Sequence, residues 1–434
     1  MCSYTTARHT GSALTKRISN GVTLTIVVFM CAVNLLHQMR GFCNNFDGND
    51  MQYPNWYSST ALASATLGEQ QVRVVLDDND NNENENNDKG VFLTLDEQIH
   101  AQEFCSFNWD SQKDALDLIQ VEPNPPPLPP KSPSILCYVH TISSFQEKSQ
   151  AVRDTWGPRC DKLIFISNET SVDTVHLSLF AYDHAHLWDK TRKSLQYLVE
   201  NYPDYDYYYK ADDDTYIVME NLRAYLLTQS LDEPLILGHR LMLPDTLAIE
   251  FVSKDEYLIF LRRFGPWIYP SGGSGYVMNN LLLKNMVQHL NQSHCSFSNN
   301  ATTSDRGSAT IPEDVAAAFC ARYAGGYLPD TRDRMHKNRW HPLSPFMTLH
   351  AKSLFKKTDW WHTYHAGTGG VQSGELAVSQ QTIALHYGTP DLMRYIDAQL
   401  YACRNYHHKA VPEWFRALVH DQKWKQVYGP VPVR

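Results

Sequence analysis

The stretch Asp204–Tyr216 reads DYDYYYKADDDTY, an aromatic run that stops at three consecutive aspartates, Asp212 to Asp214. Tyrosine favours β-strands, so the run predicts a strand that ends at these aspartates. Carboxylates at the end of a buried strand are costly to desolvate unless a cation neutralises them. Their oxygens suit Mg²⁺ or Mn²⁺, so the stretch indicates a divalent metal that holds a phosphorylated substrate. An exposed acidic turn is the alternative interpretation.

The N-terminal region resembles a membrane anchor. Gly21–Leu36 is uncharged, and Arg8, Lys16 and Arg17 precede it. This pattern predicts a signal-anchor transmembrane helix, with residues 1–20 in the cytosol and the remaining chain in the lumen. A cleaved signal peptide is the alternative.

The formal net charge is −9, and no basic stripe stands out, so nucleic acid is not expected as a partner.

Residues 37–133 do not resemble a packed domain, and we interpret them as a disordered stem. Asp77–Asp88 contains only Asp, Asn and Glu, and Pro123–Pro133 is rich in proline. The first segment buries no apolar surface and the second favours a stiff extended spacer. A calcium-binding loop and an SH3 ligand are the alternatives, but the first lacks the glycine of an EF-hand.

Cysteine and asparagine patterns agree with a lumenal location. Beyond the predicted anchor lie Cys43, Cys105, Cys137, Cys160, Cys295, Cys320 and Cys403. They lack the C-x-x-C pairs of a zinc site, so disulfides formed in an oxidising compartment are expected, with at least one thiol left over. N-glycosylation triplets begin at Asn168, Asn291 and Asn300.

Residues 134–405 alternate between strand and helix patterns, which predicts one α/β domain with a mostly parallel sheet. Strands are expected at Ile135–His140 and Leu163–Ile166. Helices are expected at Gln146–Trp156, Thr191–Tyr202 and Met219–Leu227. Ligands of such sheets bind outside the carboxyl ends of the strands, where the aspartates lie. Residues 406–434 form a C-terminal tail.

Six motifs occur in order between Leu136 and Tyr395. They are Arg153–Ser167 (RDTWGPRCDKLIFIS), Leu187–Thr191 (LWDKT), Tyr209–Tyr216 (YKADDDTY), Ser271–Tyr276 (SGGSGY), Pro312–Ala316 (PEDVA) and Leu385–Tyr387 (LHY). Together they resemble the inverting β-1,3-glycosyltransferases of GT-A (Rossmann-like) fold. Lys210–Tyr216, Arg339–Pro342 and Glu375–Ser379 resemble the core 1 β-1,3-galactosyltransferases in particular.

The resemblance implies a single-pass type II membrane enzyme of the Golgi, or of the ER–Golgi boundary, with a lumenal catalytic domain. It implies transfer of galactose from UDP-galactose to the 3-hydroxyl of N-acetylgalactosamine on Ser or Thr of a glycoprotein. The implied cofactor is Mn²⁺. A homodimer or a folding chaperone is a further partner that the resemblance allows.

The resemblance also assigns the metal ligands and the base. Asp214 is expected to bind the metal directly and Asp212 to contact it through water or to bind the ribose, since residues i and i+2 of an extended segment face the same way. Asp213 braces nearby backbone, and His386 is the second protein ligand. Asp314 is the expected base, ionised by its position at a helix start. The alternatives are Glu313 as base and Asp314 as an ordinary helix cap.

The remaining assignments follow the same likeness. Expected donor-binding residues are Arg153, Trp188, Lys190, Lys210, Asp212 and Asp213. Expected acceptor-binding residues are Gly272, Gly273, Tyr276, Glu313 and Trp340, and Trp360 and Trp361 are further candidates to stack on the acceptor sugar. The implied disulfides are Cys137–Cys160 and Cys295–Cys320.

Two segments depart from the core 1 pattern, namely an apparent insertion at Leu241–Trp267 and a polar loop at Ser296–Ala309. Both flank the expected acceptor side, so acceptor identity is the most open part of the interpretation. The alternatives are a related β-1,3-transferase that adds galactose or N-acetylglucosamine to another acceptor, a non-catalytic core 1 chaperone, and a lumenal nucleotide hydrolase.

Overall fold

A central six-stranded sheet organises the part of the chain that a computed structural model describes. The described residues are 90–121, 132–167, 174–177, 186–297, 311–422 and 424–427. They all fall in one compact unit, Glu83–Arg434. The predicted anchor, the acidic run at 77–88 and the acceptor asparagines Asn168 and Asn300 lie outside the described residues, whereas Asn291 is exposed. Among the described helices, none combines the length and apolarity that a membrane span requires.

The strands, in chain order, are β1 (Ile135–His140), β2 (Lys162–Ser167), β3 (Thr174–His176), β4 (Tyr207–Asp212), β5 (Tyr216–Ile217), β6 (Ile236–Gly238), β7 (Arg240–Met242), β8 (Ile268–Pro270), β9 (Tyr276–Asn279), β10 (Trp340–His341) and β11 (Ala384–Leu385). The central sheet has the order β3-β2-β1-β4-β9-β6. Its first four strands are parallel, and β9 runs antiparallel to both neighbours. The predicted α/β fold with a mostly parallel central sheet is confirmed.

The α-helices of four or more residues, in chain order, are α1 (Leu95–Ser106), α2 (Lys113–Leu116), α3 (Gln146–Asp154), α4 (Leu187–Asn201), α5 (Met219–Leu226), α6 (Asp245–Phe251), α7 (Lys254–Phe264), α8 (Asn280–His289), α9 (Glu313–Tyr323), α10 (Pro345–Leu354), α11 (Trp360–His365), α12 (Pro390–Asp397), α13 (Glu413–Asp421) and α14 (Trp424–Val427). Helix α4 begins four residues before the predicted Thr191, because Trp188 and Lys190 are also buried against the sheet.

Both faces of the sheet are covered, which explains why every residue of β1 is buried. On one face, Cys137 and Tyr209 pack with helices α3, α5 and α12. On the other face, Tyr138 and Tyr208 pack with helices α4, α7, α8 and α9. The tyrosine-rich run therefore serves both halves of the core, since successive side chains of a strand point to opposite faces.

The folded part of the chain extends beyond the predicted limits of 134 and 405. Helix α1 begins with a capping box in which Thr94 and Glu97 satisfy each other's backbone N–H groups. Phe104 of α1 is fully buried against Phe415 of α13. Arg416 donates to Glu97 at 2.9 Å. Residues 90–121 are thus not a stem, because their apolar face is covered by the C-terminal helices that we assigned to a tail.

Three disulfides connect the described cysteines. The expected Cys137–Cys160 and Cys295–Cys320 pairs are both present. The third, Cys105–Cys403, joins α1 to the residues after α12 across a sequence separation of 298. The sequence pattern left this pairing open, because Cys105 was assigned to a stem that packs on nothing.

Removing the Cys105–Cys403 disulfide should destabilise the domain strongly. We expect the double variant Cys105→Ser/Cys403→Ser to lose about 2–5 kcal/mol of unfolding free energy, because the bridge closes a very long loop in the unfolded chain. Thermal and denaturant unfolding of the protein would measure this. The control is Cys43→Ser, which removes a thiol that none of the three bridges uses. Equal stability of the double variant and the control would contradict the prediction.

The apparent insertion at Leu241–Trp267 is a folded excursion beside helix α9. It leaves the sheet along β7, forms α6 and α7, and returns along β8, which pairs antiparallel with β7. Phe260 stacks on Phe319 of α9 with ring centroids 4.5 Å apart. Trp267 donates its indole N–H to the carbonyl of Val315 at 3.2 Å. The insertion therefore supports the helix that carries Glu313 and Asp314.

Candidate active site

A tight turn, rather than an extended segment, brings the aspartates together. Strand β4 ends at Asp212, and the backbone N–H of Thr215 donates to the Asp212 carbonyl at 3.1 Å. The Thr215 hydroxyl accepts from the Asp212 N–H at 3.1 Å. The expected i and i+2 alternation is therefore wrong, because Asp213 and Asp214 have already left the strand.

Asp212, Asp214 and His386 form a cluster that could hold a metal ion. Each offers one ligand atom, and these atoms all lie within 4.8 Å of one another. His386 follows β11, whose Leu385 pairs with Tyr216 of β5 directly after the aspartate turn. This register places the imidazole over the carboxylates, and His386 Nε2 lies 3.3 Å from Asp214 Oδ1.

The His386 ring is oriented as metal-binding histidines usually are. Its Nδ1 lies 3.1 Å from the carbonyl of Pro342, which can only accept, so Nδ1 carries a hydrogen. Nε2 faces the Asp214 carboxylate, where it can donate when protonated or offer its lone pair to a cation that binds between the two groups. Burial lowers the pKa of His386, but the Asp214 charge outweighs this and the pKa is raised overall. Tyr387 adopts the left-handed region with φ 56°, a conformation that is costly for tyrosine. Carboxylate and imidazole ligands held in this way fit Mn²⁺ or Mg²⁺.

Lys148 is a member of the site that the sequence analysis missed. Its Nζ lies 3.3 Å from Asp213 Oδ1 and 3.3 Å from Asp214 Oδ2. Burial alone would raise the pKa of Asp214. The neighbouring charges of His386 and Lys148 outweigh this effect and hold the pKa of Asp214 well below its usual range. Lys148 belongs to α3, which starts just beyond the carboxyl end of β1. The only sequence signal was this position, because a lone lysine in a helix has no distinctive pattern.

Asp213 is held away from the three-residue cluster. Its Oδ2 accepts from the Thr141 hydroxyl at 2.8 Å. Burial raises the pKa of Asp213 to about 6, with Lys148 opposing the shift. This matches the expected bracing role, since Asp213 connects the aspartate turn to the end of β1.

The glycine-rich turn at Ser271–Gly275 lies between the metal cluster and Asp314. The Gly272 N–H donates to Asp314 Oδ2 at 2.8 Å. The Gly273 carbonyl accepts from the Thr215 hydroxyl at 2.8 Å. A Cβ on Gly273 would lie 2.2 Å from Cε1 of His386, so only glycine fits against the imidazole.

Gly273→Ala should therefore weaken metal binding. We expect a loss of about 10–100-fold in Mn²⁺ affinity, because the added methyl must displace the His386 ring from its Pro342 contact. Calorimetric titration with Mn²⁺ would measure it. Gly265→Ala is the control for an added methyl group, since a Cβ at Gly265 would meet nothing within 4 Å. Its φ of 78° adds backbone strain that Gly273→Ala does not have, so the control is the more severe backbone change. The same affinity in both variants would contradict the predicted clash.

Asp314 and Glu313 both open helix α9, and their contacts separate their roles. Glu313 Oε1 accepts from the hydroxyls of Thr191 and Tyr276 at 2.8 and 2.5 Å. Its Oε2 lies 3.7 Å from Lys210 Nζ. Asp314 accepts only backbone N–H groups, from Gly272 and from Val315 at 2.9 Å. The Asp314 carboxylate is therefore the better candidate to take a proton from a ligand.

The expected ionised state of Asp314 at the helix start needs correction. Burial and the neighbouring Glu313 raise the pKa of Asp314 to about 7, against the lowering effects of the Gly272 N–H, Lys210 and the Val315 N–H. The helix terminus is too weak to offset removal of the carboxylate from water. A pKa near neutrality suits a general base.

The rate of any reaction that uses Asp314 as base should rise with pH through this range. The ionised form is the active one and its pKa in the metal-free chain is about 7, so kcat/KM should fall by about tenfold per pH unit on the acid side. A bound cation favours the carboxylate and moves the midpoint below that value. A pH profile of kcat/KM at saturating metal would measure the midpoint. An acid limb with its midpoint near the ordinary carboxyl pKa of about 4 would contradict the prediction.

Several other residues that were expected to bind a ligand make contacts inside the protein instead. Lys210 is buried, and its Nζ donates to Asp212 Oδ1 at 2.7 Å, so it neutralises Asp212 and Glu313. Tyr276 is fully buried and its hydroxyl donates to Glu313. Both residues position the acidic groups of the site and offer little surface to a ligand.

Trp188, Trp340 and Lys190 were also expected to bind a ligand, and the structure places their polar groups in contacts inside the protein. Trp188 and Trp340 are 2% and 1% exposed, and their indole N–H groups donate to the Cys295 carbonyl and the Tyr209 hydroxyl. Lys190 donates to the Thr141 carbonyl at 2.8 Å. The Arg153 guanidinium lies 4.1 Å from the Phe165 ring centroid. The polar groups of Trp188, Trp340 and Lys190 are thus used inside the protein, whereas donor binding by Arg153 stays a prediction.

Helix α11 supplies the aromatic groups near Asp314. Trp360 is 39% exposed and packs edge-on against Tyr364, with ring centroids 5.8 Å apart. Burial and the charges of Asp314 and Glu250 raise the pKa of Tyr364 to about 12. Tyr364 was missed in the sequence, although the neighbouring Trp360 was named. Glu250 belongs to the insertion, so this segment reaches the same side of the site.

Comparison with known protein families shows the family of this chain. The model of the Fringe-like family matches residues 131–357. The chain belongs to the Fringe-like family. It is a glycosyltransferase, and the resemblance to β-1,3-galactosyltransferases of GT-A type is confirmed.

Two individual proteins show how far the similarity extends. Glycoprotein-N-acetylgalactosamine 3-beta-galactosyltransferase 1 of Xenopus laevis is 26% identical over 280 residues, which cover 63% of this chain and 68% of the relative. The crystal structure of an active-site mutant of LgtC is 13% identical and covers 65% of this chain and 99% of its own, with a TM-score of 0.34. The latter value is too low to support an argument about this Fringe-like chain.

Proposed function

We propose that this Fringe-like glycosyltransferase transfers galactose from UDP-galactose, with inversion, to the 3-hydroxyl of N-acetylgalactosamine linked to Ser or Thr of a glycoprotein. The observation that carries the proposal is the placement of Asp314 across the glycine turn from the cluster of Asp212, Asp214 and His386. The Xenopus laevis relative, whose name describes this reaction, supports the choice of donor and acceptor.

The donor side of the mechanism depends on charge. Asp212, Asp214 and His386 would hold a divalent cation, for which we propose Mn²⁺. When bound, the cation supplies electrostatic stabilisation of the charge that grows on the departing diphosphate. Lys210 offsets part of the carboxylate charge, and Lys148 holds Asp213 and Asp214 in position. The spacing of the three ligand atoms, which all lie within 4.8 Å of one another, is thus kept by the protein before the donor arrives.

The acceptor side depends on Asp314. Its carboxylate would accept the proton of the acceptor 3-hydroxyl while the hydroxyl oxygen attacks the anomeric carbon of galactose. The bond from this carbon to the UDP oxygen breaks on the opposite face, so the configuration inverts in one displacement. Tyr364 and Trp360 would bind the acceptor sugar, the first through its hydroxyl and the second through its ring face.

A membrane-anchored, lumenal location in the Golgi remains part of the proposal. The three disulfides support it, because such bonds persist in oxidising compartments. Glycoproteins that carry O-linked N-acetylgalactosamine would be the macromolecular partners.

A donor and acceptor panel tests the proposal. The purified lumenal domain is incubated with UDP-galactose, UDP-N-acetylglucosamine or UDP-glucose, and with peptides that carry N-acetylgalactosamine, N-acetylglucosamine or fucose, with Mn²⁺ or a chelator. We expect a β1-3 product only from UDP-galactose, the N-acetylgalactosamine peptide and the metal. A different sugar pair would redirect the assignment to another β-1,3-transferase, and UDP release without sugar transfer would indicate a hydrolase.

A further inference from the structure

A second group of titratable residues lies outside the cluster of Asp212, Asp214 and His386. His239 directly follows β6, and His365 is the last residue of α11. Both are buried, at 5% and 4% exposure, and their Nε2 atoms lie 2.8 Å apart. The proposed transfer reaction gives neither imidazole a role.

The contacts of this pair require one more proton than two neutral rings carry. His239 Nδ1 lies 2.8 Å from the Trp340 carbonyl, and His365 Nδ1 lies 2.7 Å from the Trp361 carbonyl. Carbonyl oxygens only accept, so each Nδ1 needs a hydrogen, and the contact between the Nε2 atoms needs a third. Two neutral imidazoles supply only two hydrogens. Every neutral arrangement therefore sets two lone pairs against each other at hydrogen-bond distance, and one added proton removes the conflict.

The surroundings oppose that proton. The charged and titratable groups around the pair are Arg240, Asp330, Arg332, Arg339, His341 and His362. Burial lowers the pKa of His239 well below its usual range and that of His365 to about 4. The shared hydrogen bond acts in the other direction, because it exists only in the protonated pair. We infer from the three short contacts that the shared hydrogen bond outweighs burial, so the pair keeps its proton above the ordinary imidazole pKa of about 6.5. The stability that the bridge contributes is then lost as pH rises through this raised pKa of the pair.

The pair joins two elements that meet at the proposed acceptor side. The His239 carbonyl accepts from the N–H of Ser271, the first residue of the glycine-rich turn, at 2.8 Å. The His239 ring stacks on Trp361 of α11, with centroids 6.3 Å apart. His365 follows Tyr364 in the same helix. A break in the bridge would thus loosen α11 relative to the turn that holds Asp314.

We propose that His239 and His365 share one proton, and that this bridged pair is a positioning device that holds Tyr364 against the acceptor site. The bridge itself does not depend on the proposed function. Only its effect on the acceptor rests on that function. The two parts are therefore tested by separate measurements.

Thermal unfolding against pH tests the bridge. His365→Gln places an amide N–H where it can donate to His239 Nε2 without a titrating proton, whereas His365→Ala leaves His239 without a partner. Between about pH 5 and about pH 8 we expect the Tm of the wild type to fall by about 2–4 °C more than that of the Gln variant. The Ala variant should have a low Tm at both pH values. Parallel Tm curves for wild type and Gln variant would overturn the shared proton.

Acceptor kinetics test the positioning role. We expect the acceptor KM of the wild type to rise several-fold across the same pH range. The acceptor KM of His365→Gln should stay constant. In both proteins kcat should still fall at acid pH. If the protein transfers no galactose, the Tm result still decides the bridge. Flat acceptor KM in both proteins, beside a positive Tm result, would overturn the positioning role. A chelator that lowers the Tm of wild type more than that of His365→Gln would indicate a metal instead of a proton and would overturn the proposal.

Discussion

Asp314→Asn is expected to reduce sugar transfer by about 10²–10⁴-fold in kcat while UDP and Mn²⁺ still bind. The amide cannot accept the proton of the acceptor hydroxyl, so the chemical step loses its base. The metal ligands lie on the other side of the glycine-rich turn and keep their contacts. Transfer rates with the donor and acceptor found in the panel, and calorimetric binding of UDP with Mn²⁺, measure the two effects separately.

Two controls keep this result specific to the base. Asn can accept only one of the two backbone N–H groups that Asp314 binds, from Gly272 and Val315, so thermal unfolding must show that the variant remains folded. Glu313→Gln is the matched variant one residue away. The Glu313→Gln variant should have a lower free energy of unfolding, because the charge that pairs with Lys210 is lost. Its kcat/KM should still fall at acid pH with a midpoint set by Asp314. Loss of UDP binding in step with loss of transfer in Asp314→Asn would indicate a structural role.

The sequence could predict the features of the site that depend on local pattern and chain order. The tyrosine run predicted β4, and the alternation of strands and helices predicted a mostly parallel sheet. These two inferences alone put Asp212 and Asp214 at a sheet edge where ligands bind. No local pattern marked His386, because a single histidine after a short strand is ordinary. Only the order of motifs in the resemblance joined it to the aspartates.

Other parts depended on contacts that no local pattern contains. Helix α1 has a weakly amphipathic sequence that resembles a polar stem, and it is held by Phe415 and by a disulfide to Cys403 far along the chain. Lys148 reaches the aspartates only because α3 begins beside the end of β1. Such residues come together through the fold, so their roles follow from coordinates rather than from spacing.

The errors in the predicted ligand contacts have a common physical cause. Trp188 and Trp340 were assigned to substrates although large aromatic side chains are most often buried, and both are core residues in the structure. The charge state of Asp314 was judged from its helix position, whereas burial beside Glu313 dominates. In both cases the extent of burial decides the outcome, and sequence gives burial only as an average tendency.

The second large effect concerns the metal cluster. Asp214→Asn and His386→Ala should each lower kcat/KM by about 10³-fold or more, equivalent to at least ~4 kcal/mol of transition-state stabilisation, and should abolish Mn²⁺ binding at concentrations that saturate the wild type. Asp214 offers Oδ1 to the site 3.3 Å from His386 Nε2, so each variant removes one of two neighbouring ligands. Metal titration followed by calorimetry, with UDP present and absent, measures the affinity.

Asp213→Asn is the matched control for Asp214→Asn, because it makes the same chemical change in the adjacent residue of the same turn. Asp213 accepts from Thr141 and does not belong to the cluster of Asp212, Asp214 and His386, so its variant should keep most of its Mn²⁺ affinity and activity. Lys148 lies 3.3 Å from an oxygen of each aspartate, so each variant removes one of the two partners of this lysine. Equal losses of metal affinity in Asp213→Asn and Asp214→Asn would show that net negative charge, rather than coordination by Asp214, holds the cation.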